Sequence, residues 1–205
     1  MGFLSASASF TRYRIVEDVP ESLWPRIPDL LLQNAFQDID NTHDERAYGW
    51  VSIDSMLDTE WSIAPAYKGE FVAFALRLDT RRIPPSVMKK HYQIALEELS
   101  RKNKEDGKSY VSRSQKQELR EQVRLRLLGR TLPVPAVFDV VWNTSNNRVF
   151  FASTQQKMLP LFEELFTQTF QLHLEPLTPY FLALNLLPED RKAEVNEYEP
   201  AIFVE

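Results

Sequence analysis

Cysteine is absent from this 205-residue sequence, and glycine occurs only five times. Without a thiol there is no disulfide framework, thiolate zinc finger, iron–sulfur cluster or cysteine nucleophile, although three histidines and many carboxylates leave other metal chemistry open. The lack of cysteine says nothing about redox compartment. Gly2, Gly49, Gly69, Gly107 and Gly129 are too scattered to spell a dinucleotide fingerprint, a phosphate-binding loop or a Gly-x-Ser-x-Gly elbow. No cofactor is expected. Long apolar runs are missing too: none approaches the roughly 20 residues that span a bilayer. The start Met1-Gly2-Phe3-Leu4-Ser5-Ala6 has no cationic n-region, and Ala6 stands where myristoylation wants Ser or Thr. These absences predict a soluble, cytoplasmic protein with no membrane partner.

What is present is enough apolar material for a core, 43% hydrophobic and 12% aromatic, on a length that suits one domain. The net charge of −5 speaks against a polyanionic partner when taken as one number. Its distribution speaks the other way. Residues 77–130 hold fifteen Lys/Arg and seven Asp/Glu, a net of +8, and the rest of the chain carries −13. Such asymmetry is a cue for nucleic acid, and equally for a long solvated helix.

The pattern of the chain predicts an α+β domain over 1–205. Ser7 to Val16 reads as a strand, and Pro20 to Leu31 as a helix whose regular part Pro25 and Pro28 confine to its second half. Tyr48 to Val51 is a short strand. Glu70 to Ile83 is a long one, with Val72, Phe74, Leu76 and Leu78 on one face and Phe71, Ala73, Ala75, Arg77 and Asp79 on the other, one face fully buried and the other partly so. Pro84-Pro85 stops that strand and opens a helix to about Asn103. After a turn at Gly107, a second helix runs from about Ser114 to Leu128 and ends at Gly129. Strands follow at 137–143 and 148–153, then a helix capped by Ser153 and striped by Met158, Leu161, Phe162, Leu165, Phe166 and Thr169. Phe170 to Leu174 reads as a strand, Thr178 to Leu187 as a short apolar helix, and 188–205 as an acidic tail with a final strand at Ile202-Phe203-Val204. Short connections make the sheet mainly antiparallel, in two β/α halves with a basic helical hairpin, about 84–130, inserted between them.

The second helix of the hairpin is the most informative feature. Lys116, Arg120 and Arg124 fall at i, i+4, i+8 and form a row of like charge, with Arg113 a turn earlier and Arg126 and Arg130 nearby. Each like-charge pair costs an isolated helix about 0.2–0.5 kcal/mol, so something should offset the row. Two offsets are open. Glu121 at i+3 and acids of the rest of the chain can neutralise it, or phosphates can, since steps of about 6 Å suit a tracked backbone. The expected nucleic-acid contacts are Lys89, Lys90, Arg113, Lys116, Arg120, Arg124, Arg126 and Arg130.

Other constellations are weaker. Asp38-Ile39-Asp40-Asn41-Thr42-His43-Asp44-Glu45 imitates the start of a calcium loop, but His43 occupies the glycine position and Gly49 the bidentate glutamate position, so a solvated acidic loop is expected. A two-metal nuclease would have to draw on Asp38, Asp40, Asp54, Asp58 and Asp139, among which spacing does not choose. His43, His91 and His173 make no ligand pair, and His173 reads as a partly buried strand residue. Trp24, Trp50, Trp61 and Trp142 read as core or interface residues. No catalytic residue and no metal site is predicted.

The stretch from Gly49-Trp50-Val51, through the strand ending at Leu78 and the Arg82-Ile83-Pro84-Pro85-Ser86-Val87 lead into the hairpin, resembles the bacterial recombination-associated RdgC family. So do Arg113 to Leu128 and the run from Val141-Trp142 through Ala152-Ser153 into the amphipathic helix, over about residues 49–179. The resemblance implies a DNA-binding protein without sequence preference, nucleoid-associated, whose protomers form a ring-shaped homodimer around double-stranded DNA and restrain recombinase loading. Family members are also labelled exonucleases. They usually continue into a further C-terminal portion, and Gly129-Arg130-Thr131 stands where Pro-Arg-Ala-Phe commonly follows the double leucine. The expected function is therefore non-enzymatic DNA binding in recombination or replication control. The alternatives are a metal-dependent exonuclease and a protein-interaction module with a basic hairpin.

Overall fold

The computed structural model describes residues 2–3, 7–107 and 110–197. In chain order it contains β1 (Thr11–Ile15), a 3-10 turn (Glu21–Arg26), α1 (Ile27–Gln33), β2 (Arg46–Val51), β3 (Tyr67–Lys68), β4 (Phe71–Thr80), α2 (Pro85–Glu105), α3 (Arg113–Leu128), β5 (Val134–Asn143), β6 (Arg148–Phe151), α4 (Leu159–Phe170), β7 (Leu174–Pro176), α5 (Pro179–Leu186) and a second 3-10 segment (Glu189–Asn196). The class is α+β, with the helical hairpin between the two β/α halves as its sequence predicts. The strand proposed at 202–204 lies outside the described residues.

The strands form one seven-stranded sheet in the order β2-β4-β5-β6-β1-β7, with β3 paired to β4. β1 runs antiparallel to β6 and β7, as do β3 to β4 and β5 to β6. The chain divides into two compact units. One comprises residues 1–35, 50–76 and 138–205, and the other comprises 36–49 and 77–137.

In the first unit the core is aromatic. α4 places Phe162, Phe166 and Phe170 at i, i+4 and i+8, all buried; the period predicts the first two, while Phe170, expected to open a strand, is the last residue of the helix. Phe162 stacks on Phe151 of β6 at 4.2 Å between ring centres, and Phe166 and Phe170 meet Trp142 of β5 at 5.6 and 5.5 Å. Trp50 is fully buried against Phe74 and donates its indole N–H to Thr169 at 2.8 Å, which satisfies its one polar atom. Trp24 packs on Trp142. These three tryptophans are structural, as their apolar settings suggest.

Several local readings are corrected. α4 begins at Leu159, not after Ser153, whose hydroxyl instead accepts from the Gln155 N–H in the preceding turn. The helix ends at Gln171 in the left-handed region, so β7 starts only at Leu174. His173 is exposed; its ring nitrogen and backbone N–H both engage Glu17. β4 is buried on both faces through Val72 to Arg77, while Leu78 is only partly buried.

In the second unit the hairpin has its own small core. Ala95 of α2 and Val123 and Leu127 of α3 are buried together, flanked by Ile83, Met88 and Leu119. Ser112 caps α3 in a full capping box: its hydroxyl accepts from the Gln115 N–H, and the Gln115 side chain accepts from the Ser112 N–H. Gly107, at φ +72°, turns the chain after α2 in a conformation that costs glycine little. Gly129 follows α3 with right-handed φ and is not a left-handed stop.

Candidate nucleic-acid interface

The apolar stripe of α3, buried Val123 and Leu127 with partly buried Leu119, decides where its charges go. One residue further along the helix is a rotation of about 100°, so Arg120 and Arg124 flank the stripe on one side and Arg126, one residue before Leu127, flanks it on the other. The structure bears this out. Arg120 and Arg124 line a pocket of about 500 Å³ together with Arg82, Ile83, Pro85, Met88 and Glu45. Arg120 also lines an adjoining pocket of about 320 Å³ with Pro85, Met88, Lys89 and Tyr92. Arg126 lines a different groove, of about 410 Å³, with Glu98 and Lys102.

Of the eight predicted contacts, Lys89, Arg120 and Arg124 are therefore gathered in two linked pockets between α2 and α3, and Arg126 is set apart from them. Lys90, Arg113, Lys116 and Arg130 are exposed. Arg124 is paired with Glu45 and, at 3.4 Å, with Glu121. None of the other seven makes an ion pair among the described residues. Internal neutralisation thus accounts for one end of the row and leaves the remainder uncompensated.

Two arginines of the basic segment are not surface charges at all. Arg77 is buried, hydrogen-bonded to Asp79 at 2.8 and 2.7 Å, and lies over the Phe36 ring at 4.1 Å. The Asp79 hydrogen bonds hold its guanidinium charged against the opposing effect of burial. Arg81 is buried at the base of the acidic loop. Its Nη2 donates to the carbonyls of Ile39 and Asp40, each at 2.8 Å, and its Nη1 to those of Thr42 and Asp44. The loop that imitates a calcium site is organised around a guanidinium, with its carbonyls turned inward and its carboxylates exposed.

Arg82, exposed one position on, joins Arg120 and Arg124 and was not singled out from the sequence. The only available signal is alternation at the end of β4, which sends Arg81 inward and its neighbour out.

Three of the five carboxylates considered for metal chemistry are engaged within the fold. Asp58 accepts from the N–H groups of Glu60, Ser62 and Ile63, Asp54 pairs with Lys68 at 2.8 Å, and Asp139 accepts from the Phe3 N–H at 2.7 Å. Among the described residues, no three of His, Asp and Glu are grouped so as to hold a metal ion. No helix of the described residues is long and apolar enough to cross a membrane.

A protein-family comparison matches residues 9–182 to the family described as "Putative exonuclease, RdgC". No curated protein matches the chain. The matched span runs from before β1 into α5, takes in the whole hairpin, and extends beyond the 49–179 stretch that carries the resemblance. This chain belongs to the RdgC family.

Proposed function

We propose that the chain is a non-enzymatic, sequence-independent DNA-binding protein acting in the control of recombination or replication. Its partner on this reading is double-stranded DNA, whose phosphates are received by Lys116 and Arg120 of α3, with Lys89 of α2 and Arg82 beside them. The observation that carries the reading is the uncompensated charge: seven of the eight predicted cations have no carboxylate partner among the described residues. A like-charge row costs the helix stability, and a polyanion is the ligand that turns this cost into affinity. A homodimer that limits recombinase access to DNA in the nucleoid fits the same surface, and its size in solution tests the assembly.

The experiment is duplex binding across a salt series with the double variant Lys116→Glu, Arg120→Glu. Neither residue has an ion pair to lose among the described residues, so the fold is spared. Binding should weaken alike on unrelated sequences, and the salt slope should fall by about 0.9 for each phosphate contact removed. Unchanged affinity would refute the assignment. The family description favours a second reading, a metal-dependent exonuclease. Incubation with end-labelled linear DNA and magnesium or manganese separates the two, since only the nuclease shortens the strand.

A further inference from the structure

The smaller pocket between α2 and α3 differs in kind from a phosphate-tracking surface. It is lined by Tyr92, Pro85 and Met88 and by the cations Lys89 and Arg120, and none of these lining residues is acidic. Lys89 and Tyr92 stand at i, i+3 on one face of α2, and Arg120 reaches in from α3. Its volume of about 320 Å³ is at the small end of the roughly 300–1,000 Å³ range of ligand pockets. That volume suits a single nucleotide.

We infer that this pocket takes one unpaired nucleotide of single-stranded DNA, with its base against Tyr92, Pro85 and Met88 and its phosphate between Lys89 and Arg120. Aromatic rings beside cations are the usual platform for unpaired bases, because every base has a π-face and the stacking needs no sequence. The neighbouring pocket shares Pro85, Met88 and Arg120 and adds Arg82, Arg124 and the Glu45 carboxylate that pairs with Arg124, so the next phosphate along the strand falls to Arg82. The inference rests on the DNA-binding reading and adds a preference to it: strand ends, gaps and opened stretches are held where intact duplex only touches the rim.

The test uses the full chain with two probes, a fluorescent 15-mer of thymidine and a blunt 15-base-pair duplex, and the variants Tyr92→Leu and Tyr92→Phe. Leucine keeps apolar packing and removes the π-face, while phenylalanine keeps both. Tyr92→Leu should weaken the single strand by about tenfold, in line with the loss of one base stack, and shift duplex affinity by less than about twofold. Tyr92→Phe should bind both probes as the parent does, with matching thermal melts for all three proteins. Equal effects of Tyr92→Leu on the two probes, or no effect on either, would overturn the pocket assignment and leave duplex binding standing. Failure of the parent to bind either probe would overturn the pocket and the DNA-binding reading together.

Discussion

Arg124, the last cation of the row on α3, is ion-paired with Glu45 at the end of the acidic loop, 79 residues earlier in the chain. Lys116 and Arg120, earlier in the same row, have no such partner among the described residues. Glu45 therefore competes with phosphate for one member of the row. Both partners are about half exposed, so the pair is worth no more than about 1 kcal/mol. Glu45→Gln should raise duplex affinity by up to about fivefold and steepen its salt dependence, with little change in melting temperature. A fluorescence anisotropy titration at two salt concentrations reads this directly. Weaker binding would mean that Glu45 positions Arg124 and does not compete for it.

How much of this was legible in the sequence depended on the range of the interaction. The hairpin, the α4 stripe and the places of β1, β2, β4, β5 and β6 along the chain follow from local periodicity and from prolines and glycines, whereas the order of strands across the sheet and the two-residue β3 rest on long-range pairing and are not legible there. The split of the α3 cations was readable in principle, since the apolar residues at 119, 123 and 127 and the charges at 120, 124 and 126 lie on one helix. Arg77 and Arg81 were not. A count gives buried and exposed arginines the same charge, and only the fold shows that Arg81 serves carbonyls about forty residues earlier. The start of α4 was misplaced because Ser153 has the chemistry of a cap but uses it in a turn. Tyr92 carried no signal, because a pocket between two helices is made by their packing.

Arg81 offers a structural prediction independent of DNA. Its guanidinium donates to four loop carbonyls, and removing it leaves acceptors enclosed without donors. Arg81→Met, which keeps the apolar stem, should destabilise the protein by about 3 kcal/mol and expose the 38–45 amides to hydrogen exchange. Arg82→Met, one residue on and solvent-exposed, should change stability by less than about 0.5 kcal/mol. Equal losses in the two variants would contradict the burial that separates them.

The capping box of α3 predicts a local effect. Ser112→Ala removes the acceptor for the Gln115 N–H and should cost about 1 kcal/mol. Because the row of cations already works against this helix, the loss should appear as faster amide exchange in the first turn of α3 before any change in the global melt. An unaltered exchange pattern there would show that tertiary packing alone holds the helix start.

Asp58 and Asp139, 7% and 9% exposed, should pull the pH dependence of stability in opposite directions. Burial by itself would raise Asp58, but the N–H groups of Ile63, Ser62 and Glu60 outweigh it and hold the carboxyl below its ordinary value of 3.8. A folded value below the unfolded one gives stability that is present above 3.8 and lost as pH falls through the folded value. Asp139 is pushed up by burial, which the Phe3 N–H only partly counters. The folded state then binds its proton more tightly, so stability falls as pH rises from 3.8 through the raised value and is level beyond it. Asp58→Asn should therefore flatten the acid limb of a urea-unfolding series while lowering stability at neutral pH. Asp139→Asn, which retains an acceptor for Phe3, should remove the decline above 3.8 and leave the neutral-pH protein at least as stable as the parent. An acid limb that is unchanged in Asp58→Asn would place the acid sensitivity elsewhere, with Glu175 the next carboxylate to replace, since Arg14 holds it below its ordinary range.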